Sequence, residues 1–124
     1  MIDFQNGSIF KLKQAENDVY DKILLPILVD GEQIMSTYKA MRDGVVFTNK
    51  RIFSINVQGI TGKKVDVTSM PYSKIQVFSI ESSGVFDLDS ELELYFSGIG
   101  KVKFEFTGSS NVSEIGKLIG SFVL

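Results

Sequence analysis

The chain has 124 residues, a length that fits one domain, and 44% of them are hydrophobic and 23% charged, as in an ordinary globular protein. It holds neither cysteine nor histidine, which excludes disulfides, thiolate metal sites and Ser-His-Asp or Cys-His catalysis within one chain. A net charge of −2 and a pI of about 5.1 count against nucleic acid as a partner.

No apolar run approaches the ~20 residues that span a bilayer. The first residues, Met1-Ile2-Asp3-Phe4-Gln5-Asn6, lack the basic and apolar regions of a signal peptide. A cytoplasmic location is therefore expected.

Residues 1–14 show no clear period: Phe4, Ile9, Phe10 and Leu12 are apolar, but Gly7-Ser8 interrupts them. They are set apart as an N-terminal extension to a single domain over 15–124. From Ala15 to Leu25, Val19 and Ile23 stand four apart and Asn17 or Asp18 can cap, so a short helix is expected, ended by Pro26. Asp30-Gly31-Glu32 then turns the chain.

From Gln33 to Thr107 the period becomes two. Ile34, Ser36, Tyr38 and Ala40 alternate with polar neighbours and Met35, and Asp43-Gly44 signals a hairpin turn before Val45-Val46-Phe47-Thr48. Ile52 to Val57 and Lys64 to Met70 are further strands. Ile75 to Ile80 is expected to place Ile75 and Val77 on one face and Phe78 and Ile80 on the other. The clearest alternations come last. Leu92, Leu94 and Phe96 point inward, and Val102, Phe104 and Phe106 follow after a loop at Ser97-Gly98-Ile99-Gly100.

The C-terminus returns to a helical period: Val112, Ile115, Leu118, Ile119, Phe122 and Val123 form one stripe. Asn111 and Glu114 resemble a capping box. Gly116 and Gly120 beside the stripe predict close approach of helix to sheet. The element order is helix, about seven strands, helix: a mainly β (α+β) fold in which the last helix plugs a small barrel.

Three phrases are familiar together. Phe47-Thr48-Asn49-Lys50-Arg51 follows the Asp-Gly pair, then come Gly59-Ile60-Thr61-Gly62-Lys63-Lys64 and Pro71-Tyr72-Ser73-Lys74-Ile75. With Pro26 to Glu32 and Gly84 to Leu92, they resemble the bacterial pleckstrin-homology-like domain family over Ala15 to the C-terminus. The resemblance implies a seven-stranded, strongly bent antiparallel barrel capped by one C-terminal helix. It also implies no enzymatic activity, and a tendency to form homo-oligomers, rings among them.

Lys39, Arg42, Lys50 and Arg51 are the candidate anion-binding residues, since Arg and Lys pair with phosphate oxygens. The acidic pI and the missing dense basic pattern favour solvated turn residues instead, and Lys50 and Arg51 are also read as bonding a neighbouring loop. Asp87, Asp89, Glu91 and Glu93 lack the glycine and the twelfth-position glutamate of a calcium loop. They read as a solvated face, or as an edge that meets Lys63-Lys64 or Lys101-Lys103 of another copy. The Gly59 to Lys64 loop lacks phosphate-loop spacing and a following helix.

Ile60, Val85, Phe86 and Leu88 are bulky residues in turn-rich segments and are the candidate interface, with a return to the core the equal alternative. The chain is thus expected to be a non-enzymatic interaction module without cofactor or metal. It is expected to self-assemble and to bind an unidentified protein partner, with anionic lipid or phosphate headgroups as the alternative ligand.

Overall fold

A computed structural model describes residues 1–82, 89–108 and 112–124. These form β1 (Gly7–Ala15), α1 (Asp21–Leu24), β2 (Ile34–Lys39), β3 (Asp43–Thr48), β4 (Arg51–Gln58), β5 (Lys64–Pro71), a 3-10 turn (Tyr72–Lys74), β6 (Ile75–Ser82), β7 (Asp89–Phe96), β8 (Gly100–Thr107) and α2 (Val112–Val123). One bent sheet runs β5-β4-β3-β2-β1-β8-β7-β6. The fold is mainly β with a C-terminal helix, as the alternation predicts. Among the described residues it has eight strands rather than seven, the sheet is open rather than a closed barrel, and β1 pairs parallel to β8.

The eighth strand comes from the stretch read as an extension. Its first part, Gly7 to Leu12, pairs with β8, and Lys13 to Ala15 pair with β2, so β1 joins the two halves of the sheet. Its period is hidden by a kink. Lys11 has φ 59°, the register slips between Ile9 and Leu12, and these two buried residues therefore stand three apart instead of two. Residues 1–6 then run beneath the β7–β8 turn, where Lys101 N donates to Phe4 O at 2.7 Å.

The expected helix over 15–25 shrinks to the single turn of α1, because β1 extends to Ala15 and separate turns follow it. This segment still buries apolar surface. Tyr20 and Leu24 pack with Val46, Phe53 and Ile55 on the outer face of β3 and β4. Those two strands are consequently buried on both faces, which is why Val45-Val46-Phe47 and Ile52-Phe53 read as unbroken apolar runs. Gly44 serves this contact. A Cβ there would fall inside the Tyr20 ring, while the turn itself lies earlier, with Ala40 N donating to Asp43 O at 2.8 Å.

The main core lies inside the bend. Leu12, Phe47, Ile52, Leu92, Leu94, Phe104 and Phe106 meet Ile115 and Ile119 of α2 there. Gly116 faces the tip of Ile80, which a Cβ would displace, so the predicted close approach holds at Gly116; at Gly120 the space is open. In β6 a bulge between Ile75 and Val77 reverses the expected phase. Ile75, Phe78 and Ile80 oppose the inward Phe96, Leu94 and Leu92, and Val77 sits outward opposite Tyr95. Asn111, the proposed cap of α2, lies outside the described residues.

Candidate functional site

Two of the familiar phrases meet in space. Thr48 Oγ1 accepts the backbone N–H groups of Lys50 and Arg51 at 3.0 Å each and donates to Glu32 Oε2 at 2.8 Å. Asn49 clasps the same turn: Gln33 N donates to its Oδ1 at 2.8 Å, and its Nδ2 donates to Gly31 O at 2.9 Å. Tyr72, from the third phrase, donates its hydroxyl to Thr48 O at 2.7 Å and stacks on Phe122 of α2. Burial, with the negative Glu32 nearby, drives the Tyr72 pKa far up, so the phenol stays a donor.

Arg51 completes this cluster. Its Nε and Nη2 donate to the two carboxylate oxygens of Glu32 at 2.9 Å each, a bidentate pair. Nη2 also reaches Ile27 O, Nη1 reaches Ser69 Oγ, and the guanidinium lies 4.3 Å from the centre of the Phe53 ring. The Glu32 side chain is fully buried. Burial alone would raise its pKa, but hydrogen bonds from Arg51, Val29 N and Thr48 outweigh that and hold it below the ordinary value of 4.5. The cluster binds three segments of the chain to one another, and Arg51 has no donor geometry left over for an external anion on the scale of its pair with Glu32.

The four candidate anion-binding residues therefore do not converge. Lys50 and Arg51 sit at the β3–β4 turn, whereas Lys39 and Arg42 flank the β2–β3 turn at the other end of β3. Lys39 faces Lys13 of β1, a neighbour that no sequence period pointed to. Arg42 Nη1 donates to Gly59 O at 2.9 Å, and Val57 N donates to Arg42 O at 2.8 Å. This sets the β2–β3 and β4–β5 turns side by side, and at this tip Met41 and Ile60 are almost wholly exposed beside Arg42, Lys63 and Lys64. Of the candidate interface residues, Ile60 is exposed; Val85, Phe86 and Leu88 lie outside the described residues.

The opposite half of the sheet carries an acidic row. Glu81, Glu91 and Glu105 stand directly opposite one another on β6, β7 and β8, a placement that repels. Lys103 Nζ lies 3.7 Å from Glu91 and 4.0 Å from Glu93, and Lys101 Nζ lies 3.4 Å from Glu93, so these two lysines already serve their own chain. Asp87 lies outside the described residues. Among the described residues no acidic cluster is arranged to hold a metal ion, and no helix is long and apolar enough to cross a membrane.

The chain as a whole is similar to known proteins. The family model of the bacterial PH domain matches residues 3–123. The uncharacterized protein YjqA of Bacillus subtilis (strain 168) is 41% identical over 120 residues, covering 95% of this chain and 96% of its own length. A DUF1696 family protein with a pleckstrin-homology domain from Shewanella loihica PV-4 superposes with a TM-score of 0.80 at 39% identity, over 94% of this chain and all of that one. A pleckstrin homology domain from Shewanella amazonensis SB2B gives a TM-score of 0.67 at 40% identity, over 89% and 90% of the two chains.

Proposed function

The chain belongs to the bacterial PH domain family, and from that premise we propose that it is a non-enzymatic, cytoplasmic interaction module that assembles with copies of itself through the two free edges of its sheet and presents the assembly to protein partners. The observation that carries this reading is the match between those edges. β5 and β6 are the end strands, both eight residues long. Antiparallel addition of β5 from one copy to β6 of the next sets Lys64 against Ser82, and Pro71 against Ile75. Lys63, just ahead of β5, then lies diagonal to Glu81 on the same face, at the end of the acidic row. Edge strands are templates for such addition, and a contact between two different surfaces closes into a ring or runs on as a filament.

Light scattering tests the reading. The expected result is a mass several times 13.8 kDa that falls as salt rises, because exposed ion pairs are screened. Glu81→Lys and Lys63→Glu should each weaken the assembly, and the two substitutions combined in one chain should restore it. A monomer at high concentration and low salt would sink the proposal.

The exposed tip supports a second reading, binding to an anionic lipid surface. Met41 and Ile60 offer apolar contact, and Arg42, Lys63 and Lys64 offer charge; each basic residue near such a surface contributes about 1 kcal/mol. Salt-sensitive pelleting with anionic vesicles, lost in Arg42→Glu and in Ile60→Asp, is its expected signature. Absence of pelleting at low salt would remove it.

A further inference from the structure

A groove on the outer face of the sheet, between α1 and the start of β2, serves neither the core nor the proposed assembly. Leu25, Leu28 and Ile34 form its apolar floor and wall, and Asn17, Asp18, Asp21 and Gln33 stand on its rim. Its volume of about 350 Å³ is at the lower end of the range for ligand pockets. β2 lies inside the sheet order, with two strands between it and β5 and three between it and β6. Addition at those edges leaves the groove open.

The path of the chain makes the groove. After Ala15 the backbone leaves β1 and crosses the outer face of β3 and β4, where Tyr20 and Leu24 are buried. Leu24 O then accepts both Ile27 N at 2.9 Å and Leu28 N at 3.0 Å, a tight turn that leaves Leu25 outside and 57% exposed. Leu28 is drawn back against the Tyr20 cluster. A bulge at Met35, between the pairs Ile34–Thr48 and Ser36–Phe47, reverses the expected phase of β2. Ile34 consequently packs on the same outer cluster, whereas Tyr38 belongs to the inner core. The floor of the groove is therefore held from below by packed side chains and is already formed.

Charge narrows what can sit there. From Glu16 to Ile34 the chain carries five acidic residues and one basic residue, in a protein of net charge −2. Glu32 is neutralised by Arg51. Asp18 and Asp21 are not: no ion pair among the described residues engages either carboxylate, and Lys22, the one cation of the segment, does not line the groove. Gln33 bonds Asn49 through its backbone, which leaves its side-chain amide for another group. An apolar floor inside a polar rim is the anatomy of a protein-binding surface. A side-chain amide suits a peptide group, and free carboxylates select lysine or arginine. The same carboxylates repel an anionic lipid surface.

We propose that this groove docks a segment of another protein in which a leucine- or phenylalanine-sized side chain is flanked by lysine or arginine. The apolar side chain fills the space over Leu28 and Ile34, against Leu25. The flanking cations meet Asp18 and Asp21, and the Gln33 amide bonds the backbone between them. The site gives chemistry to the protein partner of the proposed function, on which it rests, and does not require self-assembly.

Methyl NMR titration of the full chain with three blocked peptides tests this: acetyl-Gly-Lys-Leu-Lys-Gly-amide, its Glu-Leu-Glu counterpart and its Lys-Ser-Lys counterpart. The expected result is shifts at the methyl groups of Leu25, Leu28 and Ile34 with the first peptide only, saturating by about 10 mM and weakened by salt. Asp18→Asn combined with Asp21→Asn should weaken binding about fivefold, the size expected for two exposed ion pairs. Leu25→Ser should weaken it as well, and Glu105→Gln, in the acidic row, should leave it unchanged. No binding of the first peptide at about 10 mM, equal binding of all three, or undiminished shifts in the doubly substituted chain overturns the proposal. So does a lower mass in light scattering for that chain without peptide, because the occupant would then be a second copy. A monomer that binds the first peptide counts against the assembly alone, and an assembled chain that fails to bind it counts against the groove alone.

Discussion

Glu32→Ala should lower stability by about 3 kcal/mol, and Arg51→Ala by more, because breaking a buried ion pair costs about 3–5 kcal/mol. The order follows from burial. Removing Arg51 leaves a fully buried carboxylate with only Thr48 and Val29 as donors, whereas removing Glu32 leaves a guanidinium that is about one-fifth exposed and still reaches Ile27 O and Ser69 Oγ. For a domain of this size a 3 kcal/mol loss is a drop of roughly 10 °C in melting temperature. Urea melts of the two variants check the order, and equal losses would mean that solvent reaches Glu32.

The pH dependence has a fixed sign. Glu32 titrates lower in the folded chain than the ordinary 4.5. Its contribution is therefore complete above about pH 4.5 and is lost as pH falls through the folded value. Glu32→Gln should differ from the parent chain at pH 7, and the difference should shrink below pH 4. A gap that stays constant across that window would assign the effect to packing rather than to charge.

The sequence made some of this legible and hid the rest for physical reasons. Strands with one wet face announce themselves by alternation, and β7 and β8 lie where Leu92 to Phe96 and Val102 to Phe106 predict. β1 did not, because the kink at Lys11 spaces Ile9 and Leu12 at three. Bulges at Met35 and near Gln76 turned two correct strands out of phase, since one extra residue exchanges the faces of everything beyond it. Arg51 illustrates a related limit. The sequence reads Arg51 both as an anion-binding candidate and as a bond to a neighbouring loop, and only the fold identifies its partner as Glu32, 19 residues away in the chain. The one signal for Glu32 was its place in a phrase that resembled the family. The groove beside α1 had no signal at all, because it arises where the chain leaves β1 and crosses back over the sheet rather than from any residue pattern.

Gly100→Ala should destabilise the fold by about 3 kcal/mol, well beyond the neighbouring Gly98→Ala, although both change one glycine of the same β7–β8 turn. Both positions have positive φ, 78° at Gly98 and 135° at Gly100, and a non-glycine residue in such a conformation costs roughly 1–3 kcal/mol. At Gly98 that is the whole cost, since nothing lies within 4 Å of an added Cβ. At Gly100 the Cβ would fall on the backbone carbonyl of Phe4. That carbonyl cannot step aside cheaply: it accepts the Lys101 N–H at 2.7 Å, and the Phe4 ring rests edge-on against Phe96 with centres 5.5 Å apart. The segment before β1 is further tied at its start, where Ile2 N donates to Thr68 Oγ1 of β5 at 2.9 Å. Relief of the clash in Gly100→Ala therefore means withdrawing residues 1–6 from beneath the turn, and with them the strut between β5 and β8. Hydrogen exchange separates strain from withdrawal. The Lys101 amide should exchange much faster in Gly100→Ala than in Gly98→Ala, with faster exchange at Ile2 as well; if Lys101 stays protected while stability falls, the turn alone is strained and the N-terminal segment is not what holds the two halves together.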